Sequence, residues 1–183
     1  MATASSSDSV GADLDRWIAQ MPEGVDPGIE AARQRIGRIS RQFGQVLARA
    51  AARHELSVGD WEALSVLRRS GPPYVRTPKQ LAETLGITSG TVSVRIDRLI
   101  RAGLAEPVSS ADGRSRPVGL TRKGRQRWSA ATKERTSYEQ RIFSGALTSE
   151  QLAELNPLLT ALLARFEEEF GPASRHDVNR STT

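Results

Sequence analysis

The sequence contains no cysteine, so disulfide bonds, cysteine-based zinc sites and thiol catalysis are excluded. Histidine is also scarce: His54 at a predicted helix end and His176 in a polar tail are too few for a metal site or an acid–base pair. Glycine-rich phosphate-binding loops are missing as well. These absences predict that the chain is not an enzyme and that it carries no metal and no cofactor.

Long hydrophobic runs are also missing. No stretch approaches the roughly 20 apolar residues that span a bilayer. The Ser-rich start from Met1 to Val10 has neither the basic residues nor the apolar segment of a secretory signal. We therefore expect a cytoplasmic protein with no membrane partner. A length of 183 residues is enough for one domain with a real hydrophobic core.

The positive charge is concentrated in the middle of the chain. The whole chain carries a formal charge of +5. Between Thr88 and Arg127 there are nine Lys or Arg residues against three acids, a local charge of +6. Between Leu147 and Phe170 the local charge is −4. A basic region confined to one element favours a polyanion such as nucleic acid as its partner.

Helix-breaking Gly and Pro residues and the periodicity of apolar residues divide the chain into five segments. Residues 1–10 and 172–183 are small, polar and aperiodic, and we expect disordered tails. Residues 11–55 and 123–171 are predicted to form N-terminal and C-terminal helices. Residues 56–122 contain shorter elements separated by Gly and Pro.

Both terminal segments carry apolar stripes with steps of three and four residues. One runs from Ile29 to Ala50 within a helix predicted from Gly28 to about His54, and the other runs from Leu152 to Phe166. A short amphipathic piece, Asp13–Met21, precedes the first. Pro157 must kink the last helix, or the helix restarts there with Asn156 as its cap. The two stripes indicate that the terminal helices pack together, within a subunit, between subunits, or both.

The middle segment contains a helix-turn-helix pattern. Thr77, followed by Pro78 and Gln80, caps a two-turn helix that Gly86 ends, and Thr88 caps a longer helix over Ser89–Arg101. With Val92 inward, the helical period of 100° per residue turns Gly90, Thr91, Val94, Asp97, Arg98 and Arg101 outward.

Small residues in the first turn of the second helix would let its N-terminus enter a major groove. The candidate DNA contacts on this helix are Ser89, Gly90, Thr91, Val94, Arg95, Arg98 and Arg101. The alternative is an ordinary first turn followed by a solvated basic face.

A predicted β-hairpin follows. Residues 104–108 and 117–120 are typical of short strands, and the loop between them carries Arg114 and Arg116. Basic residues near a hairpin tip suit the minor groove beside a recognition helix. Pro107 and Pro117 favour edge strands in a small sheet.

On these residues the chain resembles the MarR family of winged helix-turn-helix regulators. The matching features are the stretches 56–64, 81–93 and 96–99, the pair Gly103-Leu104, and a wing pattern of Asp112, Arg114, Val118, Leu120, Thr121 and Gly124. The resemblance covers about residues 28–168. It implies a mainly α fold: a winged helix-turn-helix with a two- to three-stranded β wing and long N- and C-terminal dimerisation helices.

The resemblance also implies a function. Relatives are homodimeric, bind palindromic double-stranded DNA and by default repress transcription. Some use a Trp in an extra N-terminal helix to bind urate or phenolic ligands, which would give Trp17 an effector-binding role. The alternative is that Trp17 only anchors its helix. The redox-sensing branch of the family needs cysteine and is excluded.

One departure leaves the wing assignment open. Many relatives have a second Arg directly after the wing Arg, whereas here Ser115 follows Arg114 and Arg116 comes one step later. Either arginine can therefore be the one that enters the minor groove. The rival functions are a winged helix that docks a protein and has no DNA target, and an enzyme with a winged-helix appendage, for which no residues remain.

Overall fold

The computed structural model describes residues 8–109 and 116–172. The chain divides after Gly44 into two compact units, so that the described residues 8–44 belong to the first unit and those from Gln45 onward to the second.

The first unit contains helix α1 (Leu14–Ile18) and the beginning of helix α2 (Pro27–Arg53). The predicted bounds of α2 were correct to within one residue, whereas α1 is shorter than the predicted Asp13–Met21. Val10 is buried, and Arg35 on α2 donates a hydrogen bond to Asp8 at 2.7 Å. The Asp8 side chain is thereby joined to α2 within the first unit.

The second unit holds the winged-helix elements and the C-terminal helices. After the end of α2 come α3 (Val58–Arg69), β1 (Val75–Arg76), α4 (Pro78–Leu85), α5 (Ser89–Arg101), β2 (Ala105–Pro107), β3 (Val118–Leu120), α6 (Arg122–Ala146) and α7 (Ser149–Phe170). The mainly helical fold with a small β wing is confirmed.

Capping chemistry explains where these helices begin and end. The Thr77 side chain accepts a hydrogen bond from the Gln80 backbone and Gln80 reciprocates, which is the predicted capping box of α4. Gly86 ends α4 with φ at +58°, a left-handed conformation that glycine adopts without a Cβ clash. Thr88 caps α5 through the backbone N–H of Thr91, as the sequence predicted.

The sheet is antiparallel and has the order β1-β3-β2. Ala105 pairs with Leu120 and Pro107 with Val118, which confirms the predicted hairpin. β2 is an edge strand, as Pro107 suggested. Pro117 likewise predicted that β3 is an edge strand. That prediction is wrong, because β3 pairs with β1 on one side and with β2 on the other. Pro117 is tolerated since it precedes the central strand, where its carbonyl accepts from the Val108 N–H at 2.9 Å.

Helix α7 is continuous from Ser149 to Phe170 and contains Pro157. The alternative in which a new helix restarts with Asn156 as its cap is therefore wrong. Asn156 instead donates its side-chain amide to the Leu152 carbonyl one turn earlier, at 3.1 Å.

The hydrophobic core lies in the second unit and joins α3 to its neighbours. Its fully buried side chains include Leu64 and Leu67 on α3, Leu81 on α4, and Val92 and Leu99 on α5. These residues match the apolar positions from which the helices were predicted.

Two tryptophans fix α6 against α3. The buried Trp61 donates its indole N–H to the Thr132 hydroxyl at 2.9 Å, and Trp128 donates to the Ser65 hydroxyl at 2.7 Å. Buried indoles need such acceptors, because an unpaired N–H inside a core is costly. The predicted packing role of Trp61 and Trp128 is confirmed.

Gly124 allows α6 to approach the strand region closely. A Cβ at this position would lie 2.0 Å from the Leu104 carbonyl oxygen and 2.8 Å from a methyl of Leu120. The backbone oxygen cannot rotate away as a flexible side chain can. The glycine in the wing pattern is thus explained by packing between α6 and the residue before β2.

We expect Gly124→Ala to lower the free energy of unfolding by about 1–3 kcal/mol, because the added methyl overpacks a rigid contact. The matched control is Gly145→Ala on the same helix, where a Cβ meets nothing within 4 Å. That change should be neutral or stabilising by up to about 1 kcal/mol. Urea unfolding of both variants measures the difference, and equal stabilities would contradict the packing explanation.

Candidate nucleic-acid interface

The exposed face of α5 is the one that the helical period predicted. Val92, Ile96 and Leu99 are buried in the core. Gly90, Thr91, Val94, Asp97, Arg98 and Arg101 are all exposed. Val94 leaves 66% of its surface accessible, which is unusual for a valine and leaves its methyl groups available to a partner.

The first turn of α5 is small and open. A Cβ at Gly90 would meet nothing within 4 Å, so another molecule can come close to the backbone here. The Thr91 hydroxyl lies 2.9 Å from that of Thr88, which holds the Thr91 side chain at the helix start. Gly90, Thr91, Val94, Arg95 and Arg98 line a shallow concavity of about 500 Å³.

Arg98 is exposed on one side and anchored on the other. Its Nε and Nη2 atoms donate to Oδ1 of the buried Asp60 on α3 at 2.9 and 2.6 Å, and Nη2 also donates to the Ser57 hydroxyl at 2.9 Å. The Arg98 side chain remains 51% exposed. It can face an external anion while it also joins α5 to α3.

Arg95 lies between helices rather than on the open face. Its Nη1 atom is 3.2 Å from Oε2 of Glu62 on α3, and both side chains are only 16% exposed. The side chain crosses Gly59, where a Cβ would lie 2.5 Å from Nη2. Of the candidate contacts on α5, Arg95 is the one whose guanidinium is mostly withdrawn from solvent.

The remaining candidates differ in how they are placed. Arg101 is exposed and donates to the Asp97 carbonyl of its own helix at 3.3 Å. Ser89 is exposed in the first turn, and Arg116 is exposed just before β3. Arg114 lies outside the described residues.

Sequence reasoning missed the part played by α3. Asp60 and Glu62 receive the guanidinium groups of α5, and Ser57 contributes its hydroxyl. A partial signal was available, because Ser57 and Asp60 have capping-box spacing and form that box. The arginine partners lie 33 and 38 residues further along the chain, and spacing alone does not reveal them.

A separate pocket lies wholly within the first unit. It encloses about 450 Å³ and is lined by Asp13, Trp17, Arg33, Gln34, Gly37, Arg38 and Arg41. Trp17 is 42% exposed and donates its indole N–H to Oε1 of Glu30 at 2.9 Å. An aromatic ring beside several guanidinium groups suits a flat anion.

Glu30 anchors Trp17 and the start of α2. It also accepts hydrogen bonds from Arg33 at 2.7 and 2.8 Å and from the Gln34 amide at 2.9 Å. The hydrogen bond from Arg33 is the main reason that the pKa of Glu30 falls to about 2, and those from Gln34 and Trp17 add to it. The carboxylate therefore stays ionised at neutral pH, and it neutralises part of the positive charge beside the pocket.

No group of three or more His, Asp or Glu residues in the described ranges 8–109 and 116–172 is arranged to hold a metal ion. Within the same ranges, no helix is both long and apolar enough to cross a membrane.

The amino-acid sequence is similar to those of known transcriptional regulators. A profile of the MarR family matches residues 54–115. The HTH-type transcriptional regulator PecS of Dickeya dadantii (strain 3937) is 31% identical over 157 residues, which cover 85% of this chain and 90% of PecS.

Solved structures share the fold. The apo form of wild-type MarR from E. coli is 20% identical and superimposes with a TM-score of 0.63, covering 78% of this chain and 97% of that one. A mutant of the same protein, complexed with operator DNA, is also 20% identical and has a TM-score of 0.58, with 74% and 96% covered.

Proposed function

Because this chain belongs to the MarR family of DNA-binding transcriptional regulators, we propose that it binds a palindromic DNA operator as a homodimer and represses transcription. The observation that carries the proposal is the exposed, small-residue first turn of α5 at the open edge of a winged helix. Regulators of this family are not enzymes.

The geometry of α5 supports insertion into a major groove. Gly90 leaves room for the helix start to approach base edges, while the Thr91 hydroxyl and the Val94 methyls offer a hydrogen-bonding group and an apolar contact for a thymine methyl. Arg98 and Arg101 lie one to two turns later, where phosphates are nearer than bases. A mutant of E. coli MarR, which shares this fold, has been solved in complex with operator DNA, and this supports a DNA-binding role for the present chain.

The wing supports a second contact. Strands β2 and β3 lead into and out of residues 110–115, and Arg116 is exposed at the base of the hairpin. A narrow minor groove attracts long arginine side chains through its enhanced negative potential. Arg114 and Arg116 are the proposed wing contacts.

We expect three substitutions to separate base reading from phosphate binding. Thr91→Ala should change which operator is preferred, by about 1–3 kcal/mol per base pair misread. Arg101→Ala should weaken binding to all duplexes alike and lower the salt slope by about one unit for each phosphate that is no longer neutralised. Arg114→Ala should matter more beside A·T-rich flanks.

Fluorescence anisotropy with operator and random duplexes at several salt concentrations measures all three effects. The promoter upstream of the protein's own gene supplies the operator. Arg49→Ala, at an exposed position on α2, is the control for losing one positive charge. Weak, salt-insensitive binding by the parent protein would contradict the proposal and favour the protein-docking alternative.

Exposed apolar residues on the terminal helices support a dimer with a second copy of the chain. The following large apolar residues are each at least 43% exposed in the single chain: Ile29, Ile36, Ile39, Leu158, Leu159, Leu162, Leu163, Phe166 and Phe170. Helix α7 contains no buried residue although it is 22 residues long. Monomeric proteins rarely leave so many large apolar side chains in water.

Leu159→Asp on α7 should dissociate the dimer, because it places a charge in the proposed apolar interface. Ile36→Asp on α2 should act in the same direction. Ala164→Asp, on a different face of α7, is the matched control and should leave the assembly intact. Sedimentation velocity at micromolar concentration measures the outcome, and a folded monomer for the parent chain would overturn the dimer.

We further propose that a small aromatic anion regulates DNA binding through the pocket beside Trp17. The Trp17 ring and the guanidinium groups of Arg38 and Arg41 provide stacking and charge for such a ligand. A ligand changes DNA affinity only if it binds one conformation more tightly than another, so an effector must prefer a state that fits the operator poorly.

Titration with salicylate and urate should quench Trp17 fluorescence and release the protein from its operator. Arg41→Ala removes a pocket-lining charge and should weaken the response, whereas Arg49→Ala on the same helix lies outside the pocket lining and should not. The readouts are fluorescence and operator affinity, with Trp17→Phe identifying the signal. If no ligand changes operator affinity, the effector proposal fails and the DNA-binding proposal stands.

A further inference from the structure

Arg95 lies on α5, the proposed recognition helix, but its guanidinium points back into the protein. We infer that Arg95 is a positioning residue, which sets α5 against α3 through Glu62, and not a DNA contact. Gly59 contributes to the same contact, since the absence of a side chain there leaves the space through which the Arg95 side chain passes. The inference rests on the proposed DNA-binding function and concerns how the reading helix is aimed.

The contact between the two helices is specific. The Arg95 Nη1 atom lies 3.2 Å from Glu62 Oε2, and each side chain is 16% exposed. At position 59, a Cβ would lie 2.5 Å from Nη2, 2.7 Å from Cζ and 3.0 Å from Nε of Arg95. The whole guanidinium therefore lies over the glycine, and any larger residue must displace it.

Helix α3 is a firm reference for this contact. Trp61 and Leu64, on the turn that carries Glu62, are buried in the core, and the Trp61 indole is hydrogen-bonded to Thr132 on α6. An ion pair from α5 to such a helix restrains the orientation of α5, in addition to the packing of its buried residues. Base-specific contacts depend on that orientation, whereas contacts to the uniformly charged backbone depend on it much less.

Arg101 provides the contrast. It is exposed on the same helix, and its described hydrogen bond is to a carbonyl of α5 itself. Loss of an exposed arginine that binds phosphate reduces the number of counterions released, and therefore the salt slope. Loss of a positioning arginine leaves that number unchanged and lowers the affinity for the correct sequence.

The experiment compares Gly59→Ala, Arg95→Ala and Arg101→Ala in the full chain, with operator and random duplexes over a range of salt. Gly59→Ala removes no charge, yet it should reduce operator affinity at least about fivefold, the lower end for one misread base pair. Random-duplex affinity should be nearly unchanged. Arg95→Ala should show the same pattern with the parental salt slope, and Arg101→Ala a shallower slope on both duplexes.

Gly145→Ala is the control for an added methyl in a helix, and circular dichroism verifies that each variant is folded. The inference is overturned if Arg95→Ala lowers the salt slope as Arg101→Ala does while Gly59→Ala binds as the parent does. Arg95 would then be a direct phosphate contact.

A second measurement needs no DNA, so failure of the proposed function and failure of this inference can be told apart. Arg95→Ala and Glu62→Gln should each lower the urea midpoint, and the double variant should lower it by less than the sum of the two shifts. Additive shifts would show that the pair does not couple α5 to α3, and would overturn the inference even if the parent binds its operator.

Discussion

The attachment of α5 to α3 is the constraint on which the rest of the second unit depends. Leu64 and Leu67 of α3 belong to the same buried cluster as Val92 and Leu99 of α5. Apolar burial of this kind stabilises the pair strongly but without direction, because it depends on area rather than on angle. The two arginine–carboxylate contacts beside the cluster add direction. Burial holds the recognition helix in place, and the ion pairs orient it.

Contacts within the chain also reduce the positive charge that the segment Thr88–Arg127 can offer to DNA. The segment contains nine Lys or Arg residues. Several of them have partners inside the chain: Arg95 on α3, Lys123 on the Ala102 carbonyl at the end of α5, Arg125 over the Tyr74 ring, and Arg127 on Glu55. Local net charge therefore overstates the number of side chains free to bind phosphate.

Features that depend on residues close together in the sequence were predictable, whereas features that depend on distant residues were not. Helix starts at Thr77 and Thr88 were predictable, because a cap and its backbone partner lie three residues apart. Outward residues such as Val94 were predictable from the helical period. By contrast, the Glu62–Arg95 pair and the pairing of β1 with β3 join segments 33 to 44 residues apart. No local pattern encodes such pairings, and the position of β3 as the central strand was missed for the same reason.

The exposed helix α7 connects folding to assembly. A 22-residue helix with no buried residue lacks the tertiary packing of an apolar face that supplies most of the stability of helices in proteins. Under the proposed dimer, the second copy supplies the missing burial, so the order of α7 depends on protomer concentration. The proposed inverted-repeat operator would bind the α5 helices of both copies at once and thereby stabilise the proposed dimer. Operator binding, association and the folding of α7 are then linked equilibria, and a ligand that shifts one of them shifts all three.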